Sequence, residues 1–183
     1  MATRLLRSSP ADGLNPRLKR LAQNIDALAA KDQEDLERSR EIAGLRRHAA
    51  MEIHSICAEF VAALNRLLSR AEVLLDPPVF SEDSFQEIGR NLIQINVRGR
   101  ILQIEFGATP ELVSTEEFRI PYTLDGAVRA FNQQLLEKDI IEEQLIYYTI
   151  EKDKKWWRFF DPRTYRSGPF SQDYLLSLME QVI

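Results

Sequence analysis

The chain has one cysteine, Cys57, and two histidines, His48 and His54, in 183 residues. A single cysteine excludes an internal disulfide. Cys57 stands in an apolar helical pattern and reads as a buried, inert thiol. The histidines are six apart, which sets them on different sides of a helix. His48 and Glu52 share a face, but two ligands do not make a metal site. Histidine-based nucleophilic catalysis therefore has little to stand on. Neither a Walker-type phosphate loop nor a GxGxxG turn occurs, and the seven glycines are scattered like turn residues. No cofactor is expected. No run approaches the ~20 apolar residues of a membrane span. The opening MATRLLRSSPADG lacks the apolar core of a signal peptide, so a cytoplasmic location and no membrane partner are expected.

Charge is no guide to a partner. The net charge is −4, against the basic balance of a general nucleic-acid coat. Residues 1–75 carry 12 Lys/Arg and 10 Asp/Glu, and residues 76–183 carry 12 and 18. Acidic clusters such as Glu116-Glu117, Glu142-Glu143 and Asp32 to Glu37 are sequential and read as solvated faces.

What is present is a long helical pattern. Residues 1–15 read as a flexible lead-in. Asn15-Pro16 supplies an N-cap and a favoured first helical residue. No proline follows until Pro77, so residues 16–75 are expected to be mostly helical, as a coiled-coil or dimerisation segment. Leu18, Leu21, Ile25 and Leu28 are spaced 3-4-3, a short coiled-coil seam. Residues 31–41 are polar apart from Leu36 and fit a solvated segment or a break. Ile42, Leu45, Ala49, Ile53, Ile56, Phe60, Leu64, Leu67, Ala71 and Leu75 then make one stripe with an 11-residue repeat.

Residues 77–183 read as an α+β domain. Asn91–Val97 and Ile101–Phe106 alternate around Arg98-Gly99-Arg100, with Ile93, Ile95, Leu102, Ile104 and Phe106 inward. A third strand is expected near Glu117–Tyr122, after a break at Gly107 to Pro110, and a helix from about 125 to 142 with Val128, Phe131 and Leu135 on its core side. Leu145–Ile150 and Lys155–Phe160 form a second hairpin, and Ser171 caps a last helix. The expected fold is a mainly antiparallel sheet of about five strands, in the order α-β-β-β-α-β-β-α, with helices on one face.

Two surfaces are candidates. The outer sheet face would carry Gln94, Asn96, Gln103 and Glu105, ringed by aromatics if Tyr147 and Trp157 share it. The stretch WWRFFDPRTYRSGPFSQDY, residues 156–174, interleaves Trp156 and Trp157 with Arg158, Arg163 and Arg166. Single-strand nucleic-acid binders combine such residues. Strand alternation instead puts Trp156, Arg158 and Phe160 on one side and Trp157 and Phe159 on the other. A structural hairpin is the first reading, a protein surface the second, nucleic acid the third.

Trp157-x-Phe159 followed by Arg166-Ser-Gly-Pro-Phe-Ser171 resembles the GPFS hairpin-to-helix segment of GYF-like peptide-binding domains over about 25 residues. Turn and cap chemistry write the same letters, and no binding residue is carried over. The element order resembles that of class I type III secretion chaperones, small acidic dimers that bind unfolded effector segments. That resemblance implies a dimeric, chaperone-like binding module.

The expected function is a non-enzymatic interaction or adaptor module. It would bind itself, as a dimer, or another protein through the stripe at 42–75. At the helical rise that stripe runs about 50 Å, longer than a domain of ~105 residues is wide. A nucleic-acid binder would use the basic hairpin with Lys154 and Lys155. An enzyme would have to work from Glu105, Tyr147 and the polar sheet face.

Overall fold

The computed structural model describes residues 15–115, 118–132, 137 and 142–183. Its first element is α1, Pro16–Leu67. The helix starts where the capping residues put it: Asn15 Oδ1 accepts from Arg17 N at 3.0 Å. It runs unbroken through the polar segment 31–41 and stops at Leu67, short of the expected 75. The stop has a local cause. The Asn65 amide holds Val73 in both directions, at 2.9 Å to its carbonyl and 2.8 Å from its N–H, so the chain doubles back. Leu74–Asp76 then forms an edge strand, β1. Leu75 packs against the core from that strand rather than from a helix.

The chain divides into two compact units, residues up to Glu41 and residues from Ile42 on. In the first, every described residue of 15–41 is exposed. Among the described residues of the second, seven strands follow one another as an antiparallel meander. After β1 come β2 (Asn91–Val97), β3 (Arg100–Val113), β4 (Tyr122–Phe131), β5 (Glu142–Glu151), β6 (Lys154–Asp161) and β7 (Arg166–Pro169). The C-terminal helix α2, Gln172–Glu180, begins at Ser171, whose side chain accepts from Tyr174 N at 3.3 Å. The fold is α+β as expected, with more strands.

The two hairpins stand where alternation put them. Arg98 and Gly99 take positive φ of 51° and 86°, the mirror-image turn that matches strand twist. Glu151 pairs with Lys154 across a two-residue turn. Three expectations fail. Gly107 to Pro110 is not a break, because β3 runs on through it. Its ladder to β4 slips between Ala108 and Val113, where Pro110 has no N–H to give. Of the expected strand at 117–122, Tyr122 belongs to β4, Phe118–Ile120 is a loop, and Glu117 lies outside the described residues. The expected helix at 125–142 is strand β4 over its first part, and residues 133–136 and 138–141 lie outside the described residues. Leu124, Gly126, Val128 and Ala130 alternate, but two of the four are too small to mark a strand face.

One face of the sheet carries the core. Ile93, Ile95, Leu102, Ile104, Phe106 and Leu124 are fully buried there, together with Ile146. They meet Ala49, Ile53, Cys57 and Phe60 of α1 and Leu175, Leu178 and Met179 of α2. The 42–75 stripe is thus covered by the molecule's own sheet along most of its length and is not the open surface it was expected to be. Ala49, Ile53 and Phe60 are buried, and Leu45, Ile56 and Leu64 are half-buried against the same core. Arg46 is buried beside them, its Nε donating to Thr123 Oγ1 at 2.8 Å and its other nitrogens to Thr109 O and Glu87.

Candidate functional site

Strand β6 decides the question of the two tryptophans. Its register pairs Trp157 with Tyr148 on the core side and Trp156 with Thr149 on the other. Trp157 is 1% exposed. Its Nε1–H donates to Ala49 O of α1 at 2.7 Å, and its ring meets Phe106 and Tyr148 edge-on at 5.3 and 5.5 Å. It therefore does not share the outer face with Tyr147, and it offers nothing to a ligand.

Trp156 lies half-buried on the outer face, and its ring is already engaged. Lys154 Nζ sits 3.6 Å from the ring centroid and the Arg158 guanidinium 4.8 Å. Trp156 Nε1 and Arg158 Nη1 both donate to Glu151 Oε1, at 3.1 and 3.2 Å. The indole N–H, and then the cations of Arg158 and Lys154, hold the Glu151 carboxyl below its ordinary pKa. A base stacking here would have to displace these partners.

The other expected residues separate. Arg163 is turned to Glu142 at 2.6 Å and Asp161 at 3.4 Å. Arg166 is exposed on β7, opposite Asp161. Gln94 and Gln103 are cross-strand neighbours on the outer face. Asn96 closes the β2–β3 turn, its Oδ1 accepting from Gly99 N at 2.8 Å. Glu105 is bridged by Arg90 and Arg129, each at 3.0 Å, and these hydrogen bonds, Arg90's first, hold its carboxyl below its ordinary pKa. Tyr147 is buried in a small aromatic cluster under the Phe118 loop. Phe118 stacks on it at 4.4 Å, and Tyr122 lies 4.6 Å away. The structure brings these ten residues into several separate places, not one site.

A cavity of about 380 Å³ lies beside α2, where Phe159, Asp161, Arg166 and Tyr174 are among its lining. It has no local signal in the sequence, because Asp161 and Tyr174 come from different elements and look like turn and helix residues. Asp161 accepts from the Arg163 backbone N–H at 3.0 Å. Tyr174 stacks on Phe159 at 4.3 Å, yet its hydroxyl is buried without a hydrogen-bond partner, and burial pushes its pKa up, with Asp161 adding to the effect. An unpaired buried hydroxyl costs stability. Tyr174→Phe should therefore leave the protein as stable or up to about 1 kcal/mol more stable. Urea denaturation checks this, and a loss of more than about 1 kcal/mol would show the hydroxyl paired in solution.

Groups suited to catalysis are held structurally. His54 Nε2 is 2.8 Å from Pro77 O, and its ring stacks on Phe80. The Cys57 thiol is buried and pushed up to about 12. Among the described residues no group of three or more His, Cys, Asp and Glu is placed to hold a metal ion, and no helix is long and apolar enough to cross a membrane.

Among the described residues of the first unit, one apolar stripe has no cover. Leu18, Leu21, Ile25, Leu28 and Leu36 are 46–59% exposed on α1. At 3.6 residues per turn these five fall within about 80° of arc. Compared with known proteins, the chain matches no family model, no curated protein and no solved structure.

Proposed function

We propose that this protein is a non-enzymatic interaction module, an adaptor that self-associates through residues 16–41 of α1. The observation that carries this is the exposed stripe of Leu18, Leu21, Ile25, Leu28 and Leu36. A helix without tertiary packing is marginal in water, and helices in proteins draw most of their stability from burying an apolar face. All described residues of 15–41 are exposed, which supports cover by another molecule. Leu18, Leu21, Ile25 and Leu28 follow the 3-4-3 spacing of a coiled-coil seam. The seam is short, which fits a dimer that forms at micromolar concentration and separates on dilution.

The test is oligomeric state by light scattering and sedimentation. The wild-type chain should be a dimer at high micromolar concentration. Leu21→Glu with Ile25→Glu puts unpaired charge into the seam and should raise the dissociation constant at least ~100-fold. The sheet should remain folded, because residues from Ile42 on form a unit of their own. A wild-type chain that stays monomeric at high micromolar concentration would overturn the proposal.

A further inference from the structure

The charges along residues 16–41 are unevenly spread: the first turns are basic, and residues 31–41 hold five acids against Lys31, Arg38 and Arg40. Arg17, Lys19 and Arg20 open the helix, while Asp32, Glu34, Asp35 and Glu37 follow one heptad after the leucine seam. No acid stands in the first turn. Cations there oppose the helix dipole, which favours negative charge at an N-terminus. Among the described residues, none of these charges has an ion-pair partner in its own chain.

Resting on the self-association reading, we infer that two copies pair antiparallel, centred near Asp26. Helical spacing sets Arg17 and Asp35 on the same border of the apolar stripe, about 20° outside it. Two antiparallel helices bring like borders together. Centred on Asp26, Arg17 lies alongside Asp35 of the second copy, and Arg20 is level with its Asp32 along the axis. Leu18 of one copy then falls near Leu36 of the other, which gives that isolated leucine an apolar neighbour. The basic first turn receives from the second copy the negative charge its dipole calls for. A parallel, in-register pair does none of this. It sets Asp32 against Asp32 within the stripe, and it turns the Arg17 border toward the opposite border, where Ala22 and Ala29 stand.

The experiment is a spin-label distance in the full chain, with Arg38→Cys as the labelled site. The native thiol is buried and stays unlabelled. Antiparallel pairing places the two labels about 36 Å apart along the axis. Parallel pairing places them across one helix–helix spacing, within roughly 25 Å including the labels. Arg17→Glu with Arg20→Glu should weaken the homodimer about tenfold, and mixing that variant with Asp32→Arg plus Asp35→Arg should restore wild-type affinity. A dimer with the short distance, or a mixture that fails to recover, overturns the antiparallel inference and leaves self-association standing. A strict monomer removes the self-association reading itself.

Discussion

Trp157→Ala should lower the unfolding free energy by about 3–5 kcal/mol, whereas Trp156→Ala should cost no more than about 1 kcal/mol. The residues are adjacent and chemically identical, so the difference is all environment. Trp157 is 1% exposed in the main core between α1 and the sheet. Truncation leaves a large cavity that the Phe106 and Tyr148 rings cannot fill without moving. It also removes the indole donor from Ala49 O of α1. Trp156 loses a cation–π contact to Lys154 and a hydrogen bond to Glu151, both at the surface. Urea titrations followed by circular dichroism separate the two. Equal losses would mean that the register of β6 is wrong.

Gly126→Ala should destabilise by about 3 kcal/mol or more, and Gly44→Ala should stabilise by up to about 1 kcal/mol. Gly126 sits opposite Phe106 in the middle of the sheet. A Cβ there would stand 2.0 Å from Glu105 O and 2.8 Å from Phe106 Cα. Those atoms are backbone of the neighbouring strand, so no side chain can swing away, and β3 and β4 would have to part. Gly44 is exposed on α1 with nothing within 4 Å of an added Cβ. There the substitution removes only the entropy penalty of glycine in a helix. Thermal denaturation reads both. A harmless Gly126→Ala would show that β3 and β4 are spaced more widely at that point.

The hairpins were legible because each has a complete local signature. Residues 91–106 alternate on both sides of a turn whose Gly99 accepts positive φ, and Ser171 is a cap wherever the helix goes. β4 was not legible, because Gly126 and Ala130 face the core without the bulk that marks a strand. Of the residues first read as a site, alternation correctly parted Trp156 from Trp157. The sheet then scattered the arginines, giving Arg158 to Glu151 and Arg163 to Glu142. The cavity beside α2 had no sequence signal of its own, since its walls meet only when β6, β7 and α2 come together.

By itself the sequence determined where α1 begins, that two hairpins form, and that neighbouring tryptophans must face opposite ways. These follow from caps, turn conformations and the two-residue period of a strand, all of which act over a few residues. Tertiary structure alone decided which tryptophan is inside, where α1 stops, and which apolar stripe is open. Periodicity announces that a helix or strand has an apolar face but does not name the surface that covers it. The stripe of α1 from residue 42 on found its cover in the molecule's own sheet. The stripe from Leu18 to Leu36 found none among its own unit's described residues, and that difference carries the proposal of self-association.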